Sequence, residues 1–125
     1  MGTNNNFKAI HHLSMLVADL AKSLHFYCDV LGLEQDLNRP DFSFDGAWLT
    51  INAEQQIHLL QLDNPDSKLR PEHGGRDRHA AFKVNRIDLI QSSLEEHHIP
   101  FTRSQSGRAA LFCRDPDGNT LEIMK

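Results

Sequence analysis

Three features are scarce in this sequence: long apolar runs, cysteine and an excess of positive charge. No apolar run approaches the ~20 residues that a bilayer-crossing helix needs, which argues against a membrane-spanning protein. Thirteen basic residues against 17 acidic ones give a net charge of -4, so no positive field exists for nucleic acid or an anionic membrane. The only cysteines, Cys28 and Cys113, lie far apart and predict reduced thiols. The start, MGTNNNFKAI, lacks an apolar signal core, and we expect a cytoplasmic protein.

What is present fits one globular domain over residues 1–125. A chain of 125 residues is long enough to bury a core and too short for two ordinary domains. Its 39% hydrophobic and 24% charged residues are the balance of such a domain.

The first half of the chain predicts a strand, a helix and three more strands. Residues 10–17 alternate as a strand, and Asp19 can cap a helix that ends at Gly32. Residues 40–62 alternate apolar and polar side chains, with breaks at Asp45-Gly46 and near Ala53-Glu54, which predicts three strands joined by two turns. This module, about 7–62, is followed by a Pro- and Gly-rich connector, 63–77.

The second half, 78–125, repeats that order. Residues 78–84 alternate as a strand, and Asn85 can cap a helix that His97 and His98 close. Three short strands follow in PFTRS, RAALFCR and NTLEIMK. Each half is therefore β-α-β-β-β, and the fold class is α+β: two βαβββ modules in tandem that form an open curved sheet.

The repeat places four side chains that can bind a metal ion or transfer a proton at equivalent positions. His12 and His79 each stand five residues before a valine that precedes a helix. His58 follows His12 by 46 positions and Glu122 follows His79 by 43, each in the last strand of its module. We therefore expect His12, His58, His79 and Glu122 to occupy related places in the two modules.

Strand parity predicts which faces these side chains share. Neighbouring strand residues such as His11 and His12 point to opposite faces. The face that carries the four candidates should line a cup together with Ser14, Leu16, Leu60, Ala81, Lys83 and Thr120. The other face should pack under helices with Leu13, Met15, Val17, Phe82, Val84, Leu121 and Ile123.

Three imidazoles and one carboxylate without thiolates predict a site for a divalent metal ion such as Zn²⁺, Fe²⁺, Ni²⁺, Mn²⁺ or Co²⁺. A single histidine on a strand is more often hydrogen-bonded or surface-exposed than a ligand. Four groups at repeat-related positions make the metal interpretation the stronger one.

The sequence resembles the vicinal oxygen chelate superfamily, which includes glyoxalase I, extradiol dioxygenases, fosfomycin resistance proteins, methylmalonyl-CoA epimerase and bleomycin resistance proteins. The resemblance spans about residues 7–125 and is carried by IHHLSMLVADLAKSLHFYCDVLGL, RHAAFKV and FCRDPDGNTLEI. It implies two βαβββ modules around a divalent metal ion. His12, His79 and Glu122 match the metal positions common to the family's metalloenzymes, and His58 matches the variable fourth.

The resemblance also leaves the reaction open between classes. It implies an enzyme acting on a small molecule with vicinal oxygens, with a glyoxalase-like lyase or isomerase reaction slightly favoured. His58 stands where glyoxalase I has a Glu, and a histidine there fits the acid–base residue of an extradiol dioxygenase. Phe112 stands where those dioxygenases have a tyrosine, which weighs against ring cleavage. A non-catalytic small-molecule binding protein of the resistance type is the alternative from another class.

Substrate contacts and assembly complete the expectations. Phe112, Lys83 and Arg114 are candidate substrate-binding residues, and His58 is the candidate catalytic residue. The resembling family usually forms homodimers, and its modules pair either within a chain or across the dimer axis. We therefore expect a homodimer with a small-molecule substrate, and the pairing of His12 with His79 stays open.

Overall fold

The computed structural model describes residues 5–125. Two four-stranded mixed sheets follow one another along the chain, each with helices against one face, and this confirms the predicted fold class. The first sheet has the order β1-β4-β3-β2, built from His12–Leu16, Gln56–Leu60, Gly46–Thr50 and Glu34–Asp36. The second has the order β5-β8-β7-β6, built from His79–Lys83, Thr120–Met124, Ala110–Arg114 and Phe101–Arg103.

The strand pairing is the same in both sheets. β1 runs parallel to β4 and β5 runs parallel to β8, while the remaining pairs are antiparallel. β1 and β5, which begin with His12 and His79, are therefore edge strands. The register puts Phe112 opposite Glu122 and Trp48 opposite His58, so each pair shares a face.

The helices explain which sheet faces are buried. Helix α1, Leu20–Leu24, starts at Asp19, whose carboxylate accepts the Lys22 N–H at 3.2 Å, and it continues as a π-helical segment, His25–Val30. Helix α2, Ile87–Glu96, packs beside it, where the Ser93 hydroxyl donates to the Val30 carbonyl at 2.6 Å. Among the described residues, no helix is both long enough and apolar enough to cross a membrane.

The apolar face predicted by parity is the one that packs under these helices. Val17, Leu121 and Ile123 lie in the core, and Met15, Phe82 and Val84 pack against it half-buried. Leu13 is half-buried and stands outside that core cluster. We call the opposite face of each sheet the open face, which carries His12, Ser14, His58 and Leu60 in the first sheet and His79, Phe112, Thr120 and Glu122 in the second.

Two local predictions were wrong. Residues 40–45 form no strand and bend at Ser43 and Phe44; Arg39 lies over the rings of Phe42 and Phe44 and donates to the Phe44 carbonyl at 2.9 Å. The second strand is the polar segment Glu34–Asp36. The helix α2 has Arg86 at its N-cap with no side-chain cap, in place of the predicted Asn85. Gly32 ends the first helix at φ +84°, as expected.

Candidate metal centre

The first module presents a row of stacked rings on its open face. The rings of His12 on β1 and His58 on β4 stack with centroids 3.9 Å apart and planes 14° from parallel. Trp48 on β3 stacks with His58 at 4.6 Å and 9°. Because β4 lies between β1 and β3, His58 is the middle ring and the indole supports it from one side.

A short polar chain fixes the tautomer of His58. The Gln56 amide N–H donates to the Asp36 carboxylate at 2.8 Å, which turns the Gln56 carbonyl oxygen toward His58 Nε2, also at 2.8 Å. A carbonyl oxygen only accepts, so His58 carries its proton on Nε2 and keeps a lone pair on Nδ1. Burial lowers the pKa of His58 to about 4, with smaller effects from His12 and His11 in the same direction. The ring is therefore neutral at pH 7, as a ligand or a proton acceptor must be.

The second module pairs an imidazole with a buried carboxylate. His79 on β5 places Nε2 3.1 Å from Glu122 Oε1 on β8. The side chain of Glu122 is 5% exposed and that of His79 25% exposed. His79 Nδ1 lies 2.8 Å from the Asp77 carbonyl oxygen, so Nδ1 carries a proton and donates it there.

This geometry leaves Nε2 as the atom of His79 that faces the carboxylate. With Nδ1 donating to the Asp77 carbonyl, Nε2 either donates a second proton to Glu122 Oε1 or offers its lone pair to a metal ion beside that oxygen. A carbonyl that holds Nδ1 while Nε2 stays available is also the usual support of a metal-binding histidine. The donor set of this pair fits a divalent metal ion.

The guanidinium of Arg108 also lies against the Glu122 carboxylate. Arg108 Nη2 lies 2.7 Å from Glu122 Oε2, although Oε2 has no hydrogen-bond partner of good geometry among residues 5–125. The Arg108 side chain is 49% exposed, and its Nε donates to the Ser106 hydroxyl at 3.0 Å. The Glu122 carboxylate therefore lies between an imidazole and a guanidinium.

An ion-pair cluster fixes the connector beside this pair. The Asp77 carboxylate accepts from Arg70 Nε at 2.9 Å and from Arg114 Nη1 at 2.8 Å. The hydrogen bond from Arg70, followed by that from Arg114, holds the pKa of Asp77 well below its usual range despite burial. Arg114 also donates to the Thr120 hydroxyl and to the carbonyls of Gly118 and Pro71. The cluster thus holds the backbone carbonyl that orients His79.

The two pairs remain separate within one chain. Among residues 5–125, no group of three His, Cys, Asp or Glu side chains could hold a metal ion. A cleft of about 1220 Å³ runs between the edge strand β1 and the start of β5, with Ser14, Leu16 and His79 in its walls. The chain therefore presents one pair of imidazoles and one imidazole–carboxylate pair, and metal binding by all four residues stays a prediction.

The candidate substrate residues differ in their surroundings. Phe112 is 6% exposed, and its ring lies edge-on to that of His79 with centroids 5.4 Å apart. Lys83 is exposed at the end of β5. The Arg114 guanidinium is bonded within the Asp77 cluster, which gives it a structural part, and its role toward a substrate stays a prediction.

Sequence reasoning passed over several residues that support the ligand pairs. Gln56 stands two positions before His58 on the same strand, so the alternation of strand side chains was a usable signal for it. Asp77 precedes β5 and supports His79 through its backbone carbonyl, for which alternation gives no signal. Nothing in the spacing of Arg108, by contrast, connects it with Glu122. His11 is exposed, and its Nδ1 lies 2.8 Å from that of His12.

Related structures share this architecture. A putative glyoxalase family protein from Bacillus anthracis matches 97% of this chain and 97% of its own, with a TM-score of 0.73 at 22% identity. The glyoxalase I of Leishmania major matches 95% of this chain and 87% of its own, with a TM-score of 0.73 at 23% identity. These similarities establish the fold.

Sequence relatives match over nearly the whole chain. Protein YaeR of Escherichia coli is 33% identical over 127 residues, covering 93% of this chain and 95% of its own length. Glyoxylase I 4 of Arabidopsis thaliana is 30% identical over 129 residues, covering 98% and 73%. Matches also include the metallothiol transferase FosB of Staphylococcus epidermidis and a catechol-2,3-dioxygenase of Bacillus subtilis, at 26% and 30% identity. The family description that fits residues 9–123 agrees with them, and the chain belongs to the Glyoxalase/Bleomycin resistance protein/Dioxygenase superfamily.

Proposed function

We propose that this protein is a divalent-metal-dependent enzyme that acts on a small molecule with vicinal oxygens, in a glyoxalase-like lyase or isomerase reaction. The observation that carries the proposal is the position of His79 Nε2, 3.1 Å from the buried carboxylate oxygen Glu122 Oε1, with the Asp77 carbonyl orienting the imidazole from its other nitrogen. The similarity to Glyoxylase I 4 over 98% of the chain supports the choice of reaction class.

The complete site would be built by two chains. Each chain carries one ligand pair per module, and β1 and β5 are both edge strands that a second copy can approach. A twofold axis that brings the first module of one chain to the second module of its partner would join His12 and His58 to the partner's His79 and Glu122. Twofold symmetry would then create two identical sites per dimer.

Several residues of this chain would each have a distinct role in such a site. A bound divalent ion would supply Lewis acidity toward two adjacent substrate oxygens. His58 offers its Nδ1 as the atom that ligates or that accepts a proton, because its Nε2 is engaged by Gln56. Phe112 excludes water from one side of His79. Asp77 keeps the His79 ring in one orientation through its carbonyl.

A mixing experiment tests both the metal and the two-chain site. One variant carries His12→Ala and His58→Ala, and the other carries His79→Ala and Glu122→Ala. Each alone should lose bound metal. Co-expressed with different affinity tags, the two form about half heterodimers, and each heterodimer has one intact site, so metal content should return to about a quarter of wild type.

The outcomes of this experiment are distinct. Metal in the wild type with no recovery in the mixture would assign the ligands to a single chain. Absence of stoichiometric Zn²⁺, Fe²⁺, Ni²⁺, Mn²⁺ or Co²⁺ in wild-type protein purified without chelator would sink the proposal. Sedimentation of the wild type at micromolar concentration checks the dimer independently.

An extradiol-type dioxygenase reaction is the second candidate, because His58 Nε2 is already hydrogen-bonded to Gln56. If His58 does not ligate, two histidines and Glu122 remain, which is the facial triad of Fe²⁺ oxygenases. His58→Ala separates the candidates. Metal affinity should fall about tenfold or more if His58 is a ligand, whereas unchanged metal with reduced oxygen uptake on a catechol would favour the dioxygenase.

A further inference from the structure

The helices of the two modules meet on the side of the molecule opposite the open faces. The Ser93 hydroxyl on α2 donates to the Val30 carbonyl at the end of the π-helical segment. At the start of that segment, the His25 ring lies against the ring of His97 at the C-cap of α2, with centroids 5.6 Å apart and planes at 69°. These two contacts make the helices antiparallel. A π-helical turn is rare and often accompanies a functional site.

Both histidines hold Nδ1 on an oxygen acceptor. His25 Nδ1 lies 2.9 Å from the Asp29 carboxylate, and His97 Nδ1 lies 2.8 Å from the Ser93 carbonyl oxygen. These oxygens only accept, so each Nδ1 carries a proton and the neutral ring keeps its lone pair on Nε2. A carboxylate or carbonyl that binds one ring nitrogen in this way is the usual support of a metal-binding histidine.

The same hydrogen bonds turn both Nε2 atoms toward one end of the helix pair. Asp29 and Ser93 both lie toward the contact of Ser93 with Val30, so each Nδ1 faces that end and each Nε2 faces the other. A cavity of about 510 Å³ opens at this other end, with His25 and Ile99 in its walls. The two lone pairs therefore face a space that solvent and an ion can enter.

The separation of the rings fits one shared ion. Metal–nitrogen bonds of about 2.0–2.1 Å place an ion about 3.2 Å from each imidazole centroid, so two rings on a tetrahedral ion have centroids about 5.2 Å apart. The side chain of His25 is 57% exposed and can move the small distance from the observed 5.6 Å. Among residues 5–125, no third His, Cys, Asp or Glu completes a metal-binding group, so water would fill the remaining coordination positions.

We propose that His25 and His97 bind a divalent transition-metal ion through Nε2, apart from the open faces, and that this ion bridges the helices of the two modules. Imidazole suits Zn²⁺, Cu²⁺ and Ni²⁺, whereas Mg²⁺ takes oxygen ligands. The exposed charges of Asp29 and Lys22 oppose each other, so coordination bonds rather than a net field would hold the ion. Because the ion binds the folded chain, it would stabilise the packing of the modules. This site is independent of the proposed function, since neither histidine lies on an open face.

The experiment titrates Zn²⁺ alone into protein in which His12, His58 and His79 are replaced by Ala, so that the open faces contribute little binding. A pH of 8 keeps protons from competing for the imidazoles. By calorimetry, a further His25→Asn or His97→Asn should weaken Zn²⁺ binding about 100-fold, because each removes one of two linked ligands. In urea, Zn²⁺ at about 100 times its Kd should raise the folding equilibrium constant about 100-fold, an effect that either substitution should abolish.

Two controls are matched to this site. His98→Asn removes the exposed histidine beside His97, and Asn tolerates the positive φ of 57° at that position. This variant should bind Zn²⁺ with unchanged affinity. Mg²⁺ in place of Zn²⁺ should neither bind nor stabilise the protein.

The wild type provides a test that needs no substitution. In protein labelled with ¹⁵N-histidine, the Nε2 resonances of His25 and His97 should shift together over the same range of Zn²⁺ concentration. If the variant without the open-face histidines does not fold, these resonances decide the question.

The contrary results are as specific. Zn²⁺ affinity that neither His25→Asn nor His97→Asn lowers overturns the inference. A loss in only one of the two variants also overturns it, because a single imidazole does not bridge the helices. An equal loss in His98→Asn would assign the binding to surface histidines in general and would overturn it as well. Resonances of His25 and His97 that Zn²⁺ leaves in place, or moves at different concentrations, have the same consequence.

Discussion

The two modules share one topology and present different chemistry on their open faces. In the first, His12 and His58 stack face to face and Trp48 supports them, without a carboxylate in the stack. In the second, His79 faces a carboxylate that is 5% exposed, with Arg108 and the Asp77 cluster around it. The fold thus supplies equivalent positions in the two modules, and the different side chains at those positions give each module its own chemistry.

This division shows where the binding energy of a cation should lie. Two imidazoles offer a divalent ion only their lone pairs, whereas Glu122 offers a carboxylate oxygen that is 5% exposed. The hydrogen bond from His79 to the Asp77 carbonyl also orients one ligand in advance. We therefore expect the second module to hold the metal and the first to tune its chemistry, and five predictions test that asymmetry and the contacts that support it.

The largest effect should come from Glu122→Gln. The substitution preserves shape and removes the charge, so metal affinity should fall at least about 100-fold, more than in His58→Ala. Metal titration by calorimetry measures the difference, and Glu34→Gln on the exposed strand β2 is the control. Equal losses in Glu122→Gln and His58→Ala would show that the modules contribute alike.

Asp77→Asn should destabilise the second module more than any change at the His12–His58 pair. It leaves the Arg70 and Arg114 guanidinium groups without a charged partner, at a cost of about 3 kcal/mol in the free energy of unfolding. Urea unfolding at pH 7 measures this cost, and Asp41→Asn, at an exposed position before β3, is the control.

The same cluster predicts a pH dependence. Because the pKa of folded Asp77 lies below the unfolded value of about 3.9, the stabilisation is complete above about pH 5 and is lost as the pH falls toward the folded pKa. The gap between wild type and Asp77→Asn should therefore shrink below about pH 4. A gap that stays constant to lower pH would contradict the ion-pair account.

Tyr27→Phe tests one of the polar contacts that join the modules. The Tyr27 hydroxyl on the first module's helix donates to Asp115 Oδ2 at 2.7 Å, and burial, then Asp115, raises the pKa of Tyr27. Removing the donor should cost about 1–2 kcal/mol in unfolding free energy, while Ser92→Ala on the exposed side of α2 should cost nearly nothing. A Tyr27→Phe protein as stable as the wild type would mean that this hydrogen bond does not help to hold the modules together.

Sequence patterns revealed the modules because strands and helices bury local, periodic faces. The positions of His12, His58, His79 and Glu122 followed from the repeat, and parity placed Phe82 and Ile123 on the helix side. The strand Glu34–Asp36 was not predicted, because its residues are polar and it pairs with Trp48 on the following strand.

The fold of the connector could not be predicted from the sequence for a similar reason. Asp77 meets Arg114 across 37 positions, and Gly74 is required by the side chains of Thr120 and Phe112 rather than by its neighbours. Contacts between residues so far apart along the chain produce no periodic pattern in the sequence. The separation of the two ligand pairs is also a property of how the modules pack, which alternation along a strand does not encode.

The smallest effect should come from Arg108→Gln, and its sign makes it informative. Arg108 places a positive charge 2.7 Å from Glu122 Oε2, where it opposes a second cation on the same carboxylate. The guanidinium is half-exposed, so the repulsion is screened and amounts to about 1 kcal/mol, or about fivefold in affinity. Arg108→Gln should therefore bind metal about fivefold more tightly, with a smaller gain at high salt because salt already weakens the repulsion. Arg103→Gln on β6, whose guanidinium bonds to Gln91, is the matched control and should leave affinity unchanged. Weaker metal binding in Arg108→Gln would mean that Arg108 organises Glu122 for the metal rather than competing with it, and metal binding by the second module would then depend on two charged groups instead of one.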